Sequence, residues 1–368
     1  MSCGSAAGAA AEQVAAILGA LRLPSPRISQ VYLYDTRGSE IYEEIVEQPE
    51  YYLPKIETEI LRRYAAQIIH TNEHNTASDG AGAAAQLVVE LGAGVGDRTG
   101  LLLRALPPDA RCVYAPVDVS SSALKANEAS FGSLVAARGG ALRVHPLVGM
   151  FEQVLPEAAR LVEAKRGEGE DGRNALYLFL GSSLGNFSDA ECVALFTLVA
   201  GCMHAGDRFV VGVDTPHSTR KPAQMIHAAY NDSAGVTAKF TLNALRHVNT
   251  VAGTDFDWES GWRHVAEYDT NLRAIVTHLE SLRYQTVHSA VAETGERVVL
   301  RCFAPGERIF METSRKFDRA AIATLAAQAV RCNHARVYLV MICVFCSSHE
   351  SLPDRVSLLQ SYFATICM

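Results

Sequence analysis

The stretch Val88-Val89-Glu90-Leu91-Gly92-Ala93-Gly94-Val95-Gly96 joins an apolar, β-branched run to three glycines at alternate positions. Where a strand ends in such a loop and passes into a helix, a nucleotide can approach the backbone, because no side chains intervene and the helix N-terminus favours negative groups. Dinucleotide binders typically carry the wider spacing G-x-G-x-x-G, and here Glu90 stands two residues before the first glycine. The pattern therefore favours S-adenosylmethionine over NAD. Asp118 closes the next β-rich run, where an acidic side chain can accept hydrogen bonds from two ribose hydroxyls. The plainer alternative is a tight strand-to-helix turn followed by a surface aspartate.

These residues need a scaffold that brings several strand ends to one edge. Short β-rich runs at Leu87 to Leu91, Val113 to Val117, Leu176 to Leu180 and Phe209 to Val213 alternate with helical patterns starting near Arg98, Ser121 and Asp189. That rhythm predicts βαβ units and a largely parallel sheet. Ser188 followed by Glu191 predicts a capping box at the third helix and leaves Asn186 in the turn just before it. Two stretches, His70 to Gln86 and Ala164 to Arg173, read as surface loops. From Thr215 to Asn271 the alternation stops in a stretch that reads as helix-rich and strand-poor, an inserted lobe. Arg297 to Arg315 reads as a hairpin around Ala304-Pro305-Gly306-Glu307.

Composition excludes several classes. The 368 residues, 49% hydrophobic and 20% charged, suit a folded chain of one large or two modest domains. A net charge of −7 without a long basic block argues against a nucleic-acid partner. No apolar run reaches the length of a membrane span, and the N-terminal residues lack a signal-peptide pattern. The nine cysteines are odd in number and scattered, with Cys192, Cys202 and Cys302 in apolar contexts, so reduced thiols and a cytoplasmic location are expected. Cys343 and Cys346 form one CxxC pair, read as part of a buried strand rather than a metal site.

Six ordered segments then narrow the reading. They are Tyr34-Asp35-Thr36-Arg37-Gly38-Ser39-Glu40, Gln48-Pro49-Glu50-Tyr51-Tyr52, Glu90-Leu91-Gly92-Ala93-Gly94, Gly181-Ser182-Ser183-Leu184-Gly185-Asn186, Ala229 to Thr237 (AYNDSAGVT) and Met311 to Phe317 (METSRKF). Together, over roughly Arg27 to Asp318, the chain resembles the EgtD-type histidine-specific methyltransferases of ergothioneine biosynthesis. The resemblance implies an α/β fold: a Rossmann-like class I methyltransferase core over 59–214 and 314–368, with a mixed α+β substrate-binding lobe over 1–58 and 215–313. It implies that S-adenosylmethionine and L-histidine bind between the lobes and that no metal is required; with the charge and hydropathy above, a monomer with neither a nucleic-acid nor a membrane partner is expected. Tyr34, Gly92, Arg98, Asp118 and Phe151 match cofactor positions, with Arg98 in place of a usual lysine near the methionine carboxylate. Tyr51, Asn186 and Tyr230 match positions that hold the amino-acid backbone of histidine, and Glu312 and Ser314 those that hold its imidazole. Tyr51 and Asn186 are the catalytic candidates.

The residues agree with that assignment where they can be tested alone. Glu312 and Ser314 are two apart in a predicted strand, so both face one side and could grip the two nitrogens of an imidazole. Alternatively, Ser314 caps a helix starting near Arg315 and Glu312 is solvated. Likewise Tyr51 and Tyr230 could be packing residues, and Asn186 a turn residue. Two positions depart from the family pattern. Met150 replaces an acidic residue before Phe151 that reads the adenine amino group, and Thr277 stands where bacterial members line the substrate pocket with methionine. Asn333 to Met368 does not resemble the family's usual ending, although Arg336 to Cys346 is a candidate last strand. Stepwise methylation of the histidine α-nitrogen to hercynine is the function implied. A relative acting on a tryptophan derivative or thiolated histidine, and a non-catalytic binder, are the alternatives.

Overall fold

The computed structural model describes residues 3–70, 85–96, 98–166, 175–204, 206–290, 295–330, 337–344 and 364–366. The helices are α1 (Cys3–Arg22), α2 (Thr36–Glu47), α3 (Leu53–Ile69), α4 (Thr99–Arg104), α5 (Ser121–Ala137), α6 (Phe151–Arg166), α7 (Asp189–Cys202), α8 (Ala223–Ala228), α9 (Val236–Ala252) and α10 (Arg319–Val330). The strands of the first half are β1 (Leu87–Leu91), β2 (Cys112–Asp118), β3 (Leu142–Val144), β4 (Leu147–Val148), β5 (Ala175–Phe179) and β6 (Arg208–Asp214). Those of the second are β7 (Trp262–Asp269), β8 (Ala274–Ser281), β9 (Gln285–Ala290), β10 (Arg297–Phe303), β11 (Arg308–Arg315), β12 (Val337–Val344) and β13 (Ala364–Ile366). Two units result: Leu53–Pro216 with Arg315–Met368, and Met1–Tyr52 with His217–Ser314. The first boundary falls at 52/53 rather than 58/59, because α3 is one continuous helix.

The larger unit is built on a sheet of order β13-β12-β6-β5-β1-β2-β3, with β4 also paired to β2. β12 runs parallel to β6, β6 to β5, β5 to β1 and β1 to β2; β13 is antiparallel to β12. Both central strands, LVVEL and ALYLF, are buried at every position, as expected of strands covered on both faces. One face carries Val89, Tyr177 and Phe179 against Leu155 of α6, Phe196 of α7 and Leu325 of α10. On the other, Tyr114 meets Phe131 of α5 edge to face at 5.1 Å. The expected parallel strands and the helix start at Ser121 are all present, and α7 opens with the full Ser188–Glu191 capping box. The candidate last strand is β12; Cys343 lies in it, while Cys346 lies outside the described residues.

The smaller unit joins α1, α2 and α9 to a three-stranded sheet (β11-β8-β7) and a two-stranded one (β10-β9). Its core centres on Phe256, Trp262 and Phe303, with Trp262 and Phe303 4.9 Å apart.

Three expectations are corrected. The hairpin over Arg297 to Arg315 does not form. The turn is there, but Gly306 N–H donates to the Ser281 carbonyl (2.8 Å) and Ser281 N–H to that of Glu307 (2.9 Å), so β8 captures the chain and β11 leaves β10 for another sheet. The stretch Thr215 to Asn271 is not strand-poor at its end, where β7 pairs antiparallel with β8 over its whole length. Only Trp262 and Ala266 of β7 are buried, too few to show as alternation. Cys302 is exposed, whereas Cys192 and Cys202 are buried.

Candidate active site

In the larger unit, β1 ends in the glycine loop. Gly92 has φ +64° and Gly96 φ +80°, and a Cβ on Gly96 would come within 2.3 Å of Asn127 Nδ2 and 2.9 Å of the Phe131 ring. The glycine spacing therefore meets both a left-handed backbone and the close approach of α5. Asp118 sits at the end of β2 with both oxygens aimed by backbone donors: Oδ2 accepts from Gly94 N–H (3.0 Å) and Oδ1 from Ser120 N–H (2.9 Å). A carboxylate oxygen has two lone-pair sites, so each can still receive a ribose hydroxyl. Beside it, Val119 and Met150 are apolar and more than half exposed, and Gly149 N–H donates to the Asp118 carbonyl at 3.1 Å. These residues fit an adenosine: a ribose acceptor next to apolar surface for a flat base. Phe151, at the start of α6, packs its ring edge on Phe179 at 5.8 Å, and Phe179 lies under Gly92.

Arg98 precedes α4 and is ion-paired with Glu57 of α3. The other Glu57 oxygen accepts from Gly181 N–H at 2.8 Å. Gly181 (φ +78°) and Ser182 (φ +60°) begin the loop that leads through a 3-10 turn, Ser183–Asn186, to Asn186. Asp214 N–H donates to Ser182 Oγ (2.9 Å), and the Asp214 carboxylate pairs with Lys316 at 3.2 Å, both fully buried. Arg315 reaches the Phe187 carbonyl at 3.0 Å and pairs with Asp189, fixing the far side of the turn. Burial raises the Glu90 carboxyl to about 7, against hydrogen bonds from Thr99 and Tyr114 and the charge of Arg98.

In the smaller unit, Ser314 Oγ and Tyr230 Oη are hydrogen-bonded at 2.7 Å in a buried position. Ser314 is a strand residue of β11, and the helix after it begins at Arg319 behind Asp318, whose carboxylate accepts from Ala321 N–H at 2.9 Å. The helix-cap alternative for Ser314 is thereby excluded. Glu312 stands half-buried one pleat before Ser314, and Thr277 is buried on β8. Tyr51 meets the Tyr230 ring edge-on at 6.2 Å. Burial first, then neighbouring Tyr42, Tyr230 and Tyr34, hold the Tyr51 phenol well above its usual value. Tyr51 is thus a neutral hydroxyl, a donor rather than a base. Tyr34 is partly exposed, with its ring 5.3 Å from Phe240.

Much of each motif is framework. Asp232 accepts from the amides of Val236 and Thr237, both at 2.7 Å, capping α9; Glu50 accepts from Ser233 N–H at 3.0 Å, tying the Tyr51 segment to the Tyr230 segment. Asp35 accepts from Gly38 N–H and Asn243 Nδ2, both at 2.7 Å. Sequence reasoning missed Glu57. The available signal was a lone carboxylate on the apolar stripe of α3, beside Ile56, Ile60 and Leu61.

Among the described residues no group of three or more His, Cys, Asp or Glu could hold a metal ion, and no helix is long and apolar enough to cross a membrane. Residues 11–337 match the family of histidine-specific, S-adenosylmethionine-dependent methyltransferases. The chain is 31% identical over 306 residues to the histidine N-alpha-methyltransferase of Mycolicibacterium smegmatis, covering 82% of this chain and 84% of that one. It is 27% identical over 294 residues to ergothioneine biosynthesis protein 1 of Neurospora crassa, covering 80% of this chain and 30% of that protein. To the L-tryptophan methyltransferase of Psilocybe serbica it is 28% identical, covering 70% and 72% of the two chains.

Proposed function

This chain belongs to the family of S-adenosylmethionine-dependent histidine-specific methyltransferases, and on that premise we propose that it methylates the α-nitrogen of L-histidine stepwise to hercynine, the first step of an ergothioneine-type route. The observation that carries the substrate choice is the buried pair of Tyr230 and Ser314 hydroxyls, with Glu312 one pleat away on the same strand. Hydroxyl and carboxylate suit an imidazole, which offers one N–H donor and one acceptor. An indole has no ring acceptor, so a hydroxyl facing it would lose a partner on desolvation.

S-adenosylmethionine, when bound, supplies a methyl group on a sulfonium that needs no further activation. The residues that would hold it are Asp118 for the ribose, Arg98 for the carboxylate, Gly92 for close backbone approach and Phe151 with Tyr34 at the flanks. The remaining task is to hold a neutral amine in line, a matter of orientation. Asn186 and the neutral phenol of Tyr51 serve that role for the amino-acid backbone, and no side chain is required as base because solvent takes the proton. Methylation leaves carboxylate and imidazole contacts intact, so mono- and dimethylhistidine rebind in the same frame. We place this activity in the cytoplasm, as a monomer acting on small molecules; the buried thiols Cys192 and Cys202 fit a reducing compartment.

The test is mass spectrometry of amino acids incubated with the protein and S-adenosylmethionine. Trimethylhistidine is expected, and Glu312→Ala should lower histidine turnover at least about 10-fold, equivalent to about 1.4 kcal/mol. Methylation of another amino acid with histidine untouched would overturn the reading.

A further inference from the structure

We propose that Glu57 is a positioning residue that sets the guanidinium of Arg98 for the donor's carboxylate and, through the same side chain, holds the loop that carries Asn186. The inference rests on the methyltransferase reading above and deepens it.

Four segments meet at this one carboxylate. Glu57 lies in the first turns of α3 and is 1% exposed. One oxygen is paired with Arg98, which precedes α4, and the other accepts from Gly181 N–H at 2.8 Å. Behind it runs β6, where a Cβ on Gly212 would lie 2.3 Å from Glu57 Oε1 and 3.4 Å from Gly181 N. Gly212 is the only residue type that leaves room for the carboxylate at this place. An ionised carboxylate taken out of water needs both a counter-charge and hydrogen bonds, and here it has both. Packing alone would be better served by leucine on the apolar stripe that Ile56, Ile60 and Leu61 define. The retained charge therefore has another use.

That use follows from Arg98. A guanidinium presents its donors in a rigid planar fork, so one edge can meet Glu57 while another meets a ligand carboxylate, and the first contact fixes the direction of the second. A lysine ammonium, a point charge on a flexible stem, gains no such direction. Arginine at 98 and glutamate at 57 thus work as a matched pair. The Gly181 contact adds the second function. Gly181 and Ser182 both hold positive φ, and the bonds from Gly181 N–H to Glu57 and from Asp214 N–H to Ser182 Oγ hold the loop in that conformation.

The test compares two probes that differ by the donor's amino-acid end: S-adenosylhomocysteine, which carries the carboxylate, and 5′-methylthioadenosine, which lacks it. Glu57→Gln keeps an acceptor for Gly181 and removes the charge that orients Arg98. By calorimetry it should weaken S-adenosylhomocysteine at least 10-fold and leave 5′-methylthioadenosine within 2-fold. In turnover the KM for S-adenosylmethionine should rise by a similar factor while the KM for histidine changes little. Gly212→Ala, which displaces the carboxylate without removing it, should weaken S-adenosylhomocysteine selectively and also raise the histidine KM through Gly181. If Glu57→Gln does not fold, Glu57→Asp, which keeps the charge but draws it back from Arg98, carries the same comparison. Equal losses for both probes would reduce Glu57 to a structural residue and overturn the proposal, as would unchanged affinity for S-adenosylhomocysteine. Failure of the wild-type protein to bind either probe would instead overturn the methyltransferase reading itself.

Discussion

Truncating Asp118 to alanine removes the proposed ribose acceptor, a loss of about 1.5–3 kcal/mol, the scale of a hydrogen bond to a charged group. Asp118→Ala should weaken S-adenosylmethionine by that amount in calorimetry, and unchanged affinity would take Asp118 out of the site. A gain is expected just past the end of the neighbouring strand, β4. Met150 is exposed and offers no oxygen to an adenine amino group, so Met150→Asp should tighten binding by supplying a charge-assisted acceptor. No tightening in a folded variant would mean that the backbone reads that edge. At this scale the sequence singled out Tyr51, Tyr230 and Ser314 as candidates because their motifs were visible, yet it could not separate chemistry from framework within a motif. Asp232 and Asp35 sit beside candidate site tyrosines, yet Asp232 spends its carboxylate on the backbone amides of Val236 and Thr237, and Asp35 on Gly38 N–H and the side chains of Asn243 and Arg246. For Glu57 the sequence offered only a carboxylate on an apolar stripe, because its partners, Arg98 and Gly181, are far away in sequence and only the fold brings them together.

Elements carry the next two predictions. Gly235, just before α9, is in a left-handed conformation and gives the helix no side-chain cap; Asp232 supplies it instead. Burial opposes ionisation there, but hydrogen bonds from Thr237 and Val236 prevail and hold the carboxyl below its usual range. Asp232→Ala should destabilise the protein by about 1–2 kcal/mol in urea denaturation, the worth of a helix cap. The second concerns β1. Burial raises Glu90 from 4.5 to about 7, so the folded chain keeps this proton over a range where the unfolded chain has lost it. Stability from this group is therefore full below about pH 4.5, falls as pH rises towards 7 and levels off above, by an amount on the order of 3 kcal/mol. Glu90→Gln removes that dependence, so its urea midpoint should exceed the wild type's at pH 8 and lose the advantage at pH 4.5. A constant difference across this range would contradict the assignment. Strands β1, β2, β5 and β6 were legible because burial on both faces leaves predominantly apolar runs, interrupted in β1 by Glu90. β7 was not, since its polar residues find partners only in the folded unit: His264 with Thr241 Oγ1 (2.8 Å) and the Tyr230 carbonyl (3.0 Å). The false hairpin has the same origin, because a turn determines that the chain reverses but not which strand it joins.

At the scale of the molecule, each unit has its own hydrophobic core, one around Phe179 and Phe209 and the other around Trp262 and Phe303. Both tryptophans of the chain, Trp258 and Trp262, belong to the smaller unit. Tryptophan fluorescence therefore reports that unit alone, while far-ultraviolet circular dichroism reports helices and strands of both. The residues assigned to the donor fall mainly in the larger unit, with Tyr34 the exception, and those assigned to histidine mainly in the smaller, with Asn186 the exception. A ligand at about 100 times its Kd stabilises the part that binds it by about 2.7 kcal/mol. S-adenosylhomocysteine should thus raise the dichroism midpoint more than the fluorescence midpoint, and histidine should do the reverse. The measurement is a pair of melts on one sample, with each ligand in turn. Equal shifts of both probes with both ligands would show that the two cores unfold as one cooperative block. Opposite rankings, with histidine moving dichroism and S-adenosylhomocysteine moving fluorescence, would place the imidazole pocket in the wrong unit, because neither core can be stabilised by a ligand that it does not hold unless the two melt together.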